Sequence, residues 1–224
     1  MAQALVFDLD ETLLDRKGSL DVYARTLRTR FESGSLFGEC EFVELFHQLD
    51  GNGRVPREEF FAALSSKAFA GVRAEEIGEH FRATAWNAPI LFERVFEVLE
   101  TFKANDYAIG VVTNGGSHSQ NAKLNNTGLV EHLDAYIISD EFGAKKPNPE
   151  IYAEIARRLG VAPEESWFIG DDPISDVWGP AQSGFNAAWI ERYLPWPEST
   201  ARCYKHRLNH VSALLRTSLE EDLG

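Results

Sequence analysis

The chain has 224 residues, 44% hydrophobic and 25% charged, a globular composition with room for one sizeable core or for a core carrying a smaller insert. A formal net charge of -13 disfavours a nucleic-acid partner, because it repels a phosphate backbone at long range. Two cysteines, Cys40 and Cys203, exclude a disulfide framework, and neither has a Cys or His at zinc-ligand spacing.

No segment approaches the ~18 consecutive apolar residues of a membrane helix. The short apolar run at the N-terminus meets aspartates at once and does not read as a signal peptide, so no membrane and a cytoplasmic location are expected.

The first element is the run ALVF, which predicts a buried strand ending in FDLDET. A strand has a side-chain period of two, so Asp8 and Asp10 leave it on the same side while Leu9 points away. Two carboxylates held that close repel, which invites a cation or acid/base work. The bland alternative is a polar turn after a buried strand.

Residues 16–88 contain amphipathic helical patterns (VYARTLRTRFE, CEFVELFHQL, REEFFAALSS, AEEIGEHFRATAW) and no convincing strand. They predict an all-helical insertion whose small core is formed by Phe42, Phe46, Phe60 and Phe61. Within it, Asp50, Asn52, Gly53, Val55 and Glu59 align with a calcium-binding helix-loop-helix. Position one would then be Gln48 and position nine Pro56, so a Gly-rich turn joining two helices is the expected reading.

Beyond the insertion, apolar strand-type runs recur at Tyr107 to Asn114, Ala135 to Asp140, Ser166 to Asp172 and Asn186 to Ile190. Helical stretches (ILFERVFEVLETFKAN, SQNAKLNNTG, NPEIYAEIARRLG, ISDVWGPAQSG) lie between them, with Asn148 a candidate N-cap, Pro149 a first helical residue and Gly160 a terminator. Buried strands alternating with helices predict an α/β fold with a doubly wound parallel sheet. Residues 1–15 and 89–224 would form this core and residues 16–88 the helical insert. The strands end in Asp8 and Asp10, Thr113 and Asn114, Asp140, and Asp171 and Asp172, and ligands bind at that edge of such sheets.

Read in order, DLDET, TNGG, KKPNPE and GDDPISD resemble the haloacid dehalogenase superfamily, over residues 1–14 and about 89–190. The resemblance implies a Rossmann-like core with a helical cap, and a phosphatase that hydrolyses a small phosphate monoester through an aspartyl-phosphate. Asp8 would be the nucleophile and Asp10 the acid/base. Thr113, Asn114 and Lys146 would bind the substrate phosphate, Thr113 and Lys146 also serving catalysis. Mg2+ would be held by Asp8, Asp171 and the Asp10 backbone carbonyl, with Asp176 behind them. Lys146 is preferred to Lys145 on the Lys-Pro register, and Asp172 is divided between serving the metal and capping a helix.

Nucleoside monophosphates and sugar phosphates are the substrate classes the resemblance suggests. A phosphomutase, a 2-haloacid dehalogenase and a non-catalytic binding module are the alternatives, the dehalogenase disfavoured because it lacks a counterpart of Asp10. His118 follows TNGG and is read as a solvent-exposed loop residue; His47, His80, His132, His206 and His210 are read as surface residues.

Overall fold

The computed structural model describes residues 3–217 and Leu219. The chain divides into two compact units, Met1–Asp15 with Leu91–Gly224, and Arg16–Ile90. The first holds a six-stranded sheet in the order β3-β2-β1-β4-β5-β6, all pairs parallel. Its strands are β1 (Ala4–Phe7), β2 (Ala108–Thr113), β3 (Ala135–Ile138), β4 (Trp167–Gly170), β5 (Asn186–Ile190) and β6 (His206–Leu208).

β1 and β4 are buried along their whole length, which is why both read as unbroken apolar runs. The chain builds outward from β1 through β2 to β3, then returns to the other side of β1 with β4, so the order reverses between β1 and β4. That reversal opens a crevice at the carboxyl ends of the two strands, where Asp8 and Asp171 stand.

Helix α8 (Pro149–Leu159) covers one face of this sheet with Ile151, Tyr152, Ile155 and Ala156, packed against Val6, Val112, Ile137 and Phe168. Each fully buried Ile or Val here contributes roughly 1.5–3 kcal/mol relative to exposure. The helix begins where Asn148 accepts the Glu150 N–H at 2.9 Å and ends at Gly160, whose φ of 67° suits a residue without a Cβ.

Three regions depart from the expected elements. The predicted helix from Ile90 starts only at Val95 as α5 (Val95–Lys103), because Arg94 has a φ of 61°. The ISDVWGPAQSG stretch is a π-helical turn, Pro173–Trp178, running into the short helix α9 (Gly179–Gln182). β6 was not foreseen: its three residues carry no apolar run, and its pairing with β5 decides that it is a strand.

The second unit is helical throughout: α1 (Arg16–Arg30), α2 (Glu39–Asp50), α3 (Arg57–Ala68) and α4 (Ala74–Thr84), with short 3-10 turns. Phe42, Phe46, Phe60 and Phe61 are buried in it, with Phe46 and Phe60 ring centroids 5.0 Å apart, edge to face. Asp50 is fully buried between helices, taking Arg16 at 2.8 Å, Arg57 at 2.8 Å and the Gly53 N–H at 2.8 Å. Burial works against its charge, and the two guanidiniums outweigh burial, so its carboxyl sits below the usual range. The calcium reading of this loop falls here, because the carboxylate it needs is already neutralised.

The expectation of surface histidines also needs correcting. His47, His80, His132, His206 and His210 are half-buried, His206 stacked on Trp167 at 5.2 Å and His80 beside the Tyr23 hydroxyl at 3.2 Å. An imidazole covers apolar surface with its ring face while keeping its nitrogens for polar partners. His118 is exposed as expected, but it lies in a helix, Ser117–Asn126, and not in a loop.

Candidate active site

At the end of β1 the Asp8 N–H still belongs to the sheet, donating to Ile169 O at 2.9 Å. The chain then turns back through Leu9, whose carbonyl accepts the Leu13 and Leu14 amides at 3.0 and 2.9 Å. This turn keeps Asp8 within the crevice at 7% exposure and carries Asp10 toward the helix that follows β2, α6 (Ser117–Asn126). Leu14 bridges Leu91, and Leu13 O accepts the Phe92 N–H at 2.9 Å, so the chain leaves for residues 16–90 and returns at adjacent points.

Lys146 lies in the loop before α8 and is 3% exposed. Its ammonium donates to Asp8 Oδ1 at 2.6 Å, Asp176 Oδ1 at 2.7 Å and Val112 O at 2.7 Å. Burial alone would discharge such a lysine, but Asp176 and Asp8 more than outweigh it, so its proton is held more tightly than usual. Lys145, its neighbour, is exposed, so the Lys-Pro register and the packing select the same residue.

Asp8, Asp171 and Asp176 each offer a carboxylate oxygen, and these oxygens lie within 4.8 Å of one another. Desolvation by burial is the main force pushing Asp8 up to about 7; Lys146 opposes it, and Asp176 and Asp10 add to it. Burial pushes Asp171 up to about 9, reinforced by Asp176 and Asp8. Two carboxyls that resist ionisation beside each other, all-oxygen and enclosed, make a donor set that fits a hard divalent cation.

Asp176 stands differently. Its Oδ1 takes Lys146 and its Oδ2 takes the Asp172 N–H at 3.0 Å, so both oxygens are engaged in fixing the site. It reaches this place because Gly170 has no side chain: a Cβ there would lie 2.4 Å from the Asp176 Cβ. Asp172 accepts the Ile174 and Ser175 amides at 2.9 and 3.0 Å, capping the π-helical turn. Trp189 on β5 donates its indole N–H to Asp171 O at 3.0 Å, fixing that backbone from behind.

Two polar side chains at the strand ends, Asn114 and Asp140, have partners that the sequence did not announce. Asn114 clamps the lysine loop: its amide donates to Lys146 O at 3.0 Å and accepts the Lys146 N–H at 2.9 Å. Its side chain therefore positions Lys146 and is not presented to a phosphate. The neighbouring Gly115 N–H donates to Ser139 Oγ at 3.1 Å. Asp140 does not face the crevice as a ligand either, since it accepts the Ser117 N–H at 2.9 Å at the start of α6.

A family model for haloacid dehalogenase-like hydrolases matches residues 2–184. A glyceraldehyde 3-phosphate phosphatase of Methanopyrus kandleri is 30% identical over 203 residues, covering 86% of this chain and 85% of that protein. The chain belongs to the haloacid dehalogenase-like hydrolases. A phosphoserine phosphatase of Thermus thermophilus is 34% identical over 135 residues, 60% of this chain and 54% of that protein. A dehalogenase solved as an intermediate complex shares the fold, with a TM-score of 0.74 at 23% identity over 96% of both chains.

Two residues of this haloacid dehalogenase-like hydrolase carried no expected role. Gln120 and Lys123 on α6 are 1% and 3% exposed and both reach Asp10: Lys123 Nζ at 2.8 and 2.7 Å from its two oxygens, Gln120 Nε2 at 3.1 Å from one. Gln120 also donates to Thr113 Oγ1. The only local signal is their i, i+3 spacing, which puts them on one helix face.

Proposed function

We propose that this hydrolase is a Mg2+-dependent phosphomonoesterase acting on small phosphorylated metabolites through an aspartyl-phosphate on Asp8. The observation that carries the reading is the buried cluster of Asp8, Asp171 and Asp176, bridged by the Lys146 ammonium, at the strand-order reversal. Names of the phosphatase relatives agree with it. Among the described residues no helix is long and apolar enough to cross a membrane.

Asp8 and Asp171, with the Asp10 backbone carbonyl, would hold the metal. When bound, Mg2+ neutralises phosphate oxygens and lets the neighbouring carboxylates remain ionised together.

Asp8 attacks phosphorus with one carboxylate oxygen as the ester P–O bond breaks. Asp10 gives its proton to the departing alkoxide, which leaves as the alcohol. The Asp10 carboxylate then takes a proton from water, whose oxygen attacks the same phosphorus; the acyl phosphate P–O bond breaks, freeing phosphate and Asp8. Lys146 and the Thr113 hydroxyl counter charge on the equatorial oxygens. A halide departs without a proton, so a haloacid dehalogenase gives an acid at Asp10 no task, and this favours the phosphatase.

Phosphate release from p-nitrophenyl phosphate, phosphoserine, glyceraldehyde 3-phosphate and nucleoside monophosphates is expected to require Mg2+ and stop with EDTA. Asp8→Asn is expected to abolish it, because an amide is a poor nucleophile and a poor ligand. Undiminished release in EDTA refutes the metal assignment, and turnover by Asp8→Asn above about a tenth of the native rate refutes the nucleophile. Isomerised sugar phosphate without free phosphate would assign a phosphomutase instead.

A further inference from the structure

Lys123 is a buried cation, and its ammonium is paired with a residue of the reaction site. Burying a lysine is costly unless its charge is paired and hydrogen-bonded, and a buried ion pair contributes little net stability. Here the ammonium donates to both Asp10 oxygens, at 2.8 and 2.7 Å, across a sequence separation of 113 residues. The Asp10 side chain remains 22% exposed while that of Lys123 is 4% exposed, so the pair has a wet end and a dry end. Lys123 holds the carboxylate from the dry side, while the Asp10 side chain keeps its partial exposure.

Gln120 adds the second fixed point. Its amide nitrogen reaches Asp10 Oδ2 at 3.1 Å, Asn114 O at 3.2 Å and the Thr113 hydroxyl oxygen. A hydroxyl that accepts from Gln120 has its own hydrogen free to turn elsewhere. The approach depends on Gly115, whose φ is 150° and where a Cβ would meet the Gln120 side chain at 3.0 Å. A carboxylate gripped at both oxygens loses the broad torsional freedom of a free aspartate.

We propose that Lys123 and Gln120 are positioning residues, which fix the Asp10 carboxyl plane for proton transfer with the leaving oxygen while Gln120 orients the Thr113 hydroxyl toward the phosphate. This rests on the phosphatase reading, in which Asp10 is the acid/base. Neither residue contacts the reacting atoms; both act through Asp10 and Thr113. Proton transfer demands heavy-atom placement within about 0.5 Å, which a freely rotating carboxylate does not keep.

The experiment compares phosphoserine, whose alcohol leaves poorly, with p-nitrophenyl phosphate, whose phenolate leaves without much protonation, in the full-length Mg2+-loaded enzyme. Single-turnover rates are read for Lys123→Met, Asp10→Asn and the double variant, with melting curves to establish folding. Lys123→Met is expected to lose roughly 10- to 100-fold in rate on phosphoserine and about 3-fold on p-nitrophenyl phosphate, with KM nearly unchanged. In the Asp10→Asn background it is expected to lose no more than about 2-fold further, because the group it positions is already gone.

Equal losses on both substrates, or losses that multiply in the double variant, overturn the positioning role. If Asp10→Asn itself slows both substrates alike, Asp10 is not the acid and its acid role falls together with the positioning role, while the phosphatase reading still stands or falls on Asp8 and EDTA. If Asp10→Asn discriminates and Lys123→Met does not, only the positioning role falls. Should Lys123→Met fail to fold, Lys123→Gln keeps a donor toward Asp10 and is expected to show the same split at smaller size, whereas an even loss refutes it. Gln120→Leu is expected to show the split together with a rise in KM from the disoriented Thr113 hydroxyl, and an unchanged KM removes the Thr113 part of the proposal.

Discussion

Replacing Lys146 with Met tests the electrostatic reading of the crevice most directly. Met keeps the stem and its packing near the Phe168 ring, over which the ammonium sits at 5.6 Å, while removing the charge. Three hydrogen bonds vanish, two of them to carboxylates at 2.6 and 2.7 Å. Charge-assisted hydrogen bonds are worth roughly 1.5–3 kcal/mol each, and breaking a buried ion pair by deleting one partner costs about 3–5 kcal/mol.

The loss depends on pH because the orphaned acids can take up protons. Asp8, at about 7 in the native protein, carries a proton below that pH whether or not Lys146 is present. Above it, the native protein ionises Asp8 against the ammonium, and the variant has nothing to ionise it against. A carboxyl whose folded pKa is raised favours folding fully below its unfolded pKa and loses that advantage as pH rises through the folded pKa. Lys146→Met raises the folded pKa further, so the gap between the two proteins widens above pH ~7.

With EDTA present, about 3–5 kcal/mol is expected near pH 8.5 and roughly half or less near pH 5.5. By calorimetry this is a fall in melting temperature of about 10 °C or more at the higher pH. A loss under about 1 kcal/mol near pH 8.5, or the same loss at both pH values, refutes the paired-charge account.

Two further expectations concern the same crevice. Gly170→Ala puts a Cβ 2.4 Å from the Asp176 Cβ, and is expected to lower stability by about 2–3 kcal/mol and weaken Mg2+ binding, measured by melting and by metal titration. A variant that melts like the native protein would mean Asp176 can shift without consequence. In metal-free protein, Asp8 at about 7 and Asp171 at about 9 both bind protons more tightly folded than unfolded. Stability is therefore expected to fall as pH rises from about 4 to about 9, and added Mg2+ to restore it most at the alkaline end, in melting curves with EDTA or Mg2+. Melting that is flat across that window, or identical with and without Mg2+, refutes the frustrated-carboxylate description.

The sequence by itself determined those elements whose signal is local. ALVF and WFIG are strands because β1 and β4 are buried on both faces and cannot alternate with polar residues. Asn148, Pro149 and Gly160 bound α8 because capping and left-handed conformations involve only near neighbours. The strand-end aspartates were legible for a related reason: strand ends in a parallel sheet share one edge, so chain order already groups them, whereas Lys146, in a loop, was picked out only by the Lys-Pro register of the family resemblance.

What the tertiary structure decided are relations between distant positions. Lys123 meets Asp10 across 113 residues, and no periodicity near either one announces it. Asn114 reads as a strand-end ligand until Lys146, 32 residues on, presents its backbone N–H and C=O to it. Asp140 reads likewise until the start of α6 claims its carboxylate. β6 is a strand because β5 offers it an open edge, not because HRL prefers one. A polar side chain satisfies whichever donor or acceptor folding brings to it, and folding sets that partner only when the chain has closed.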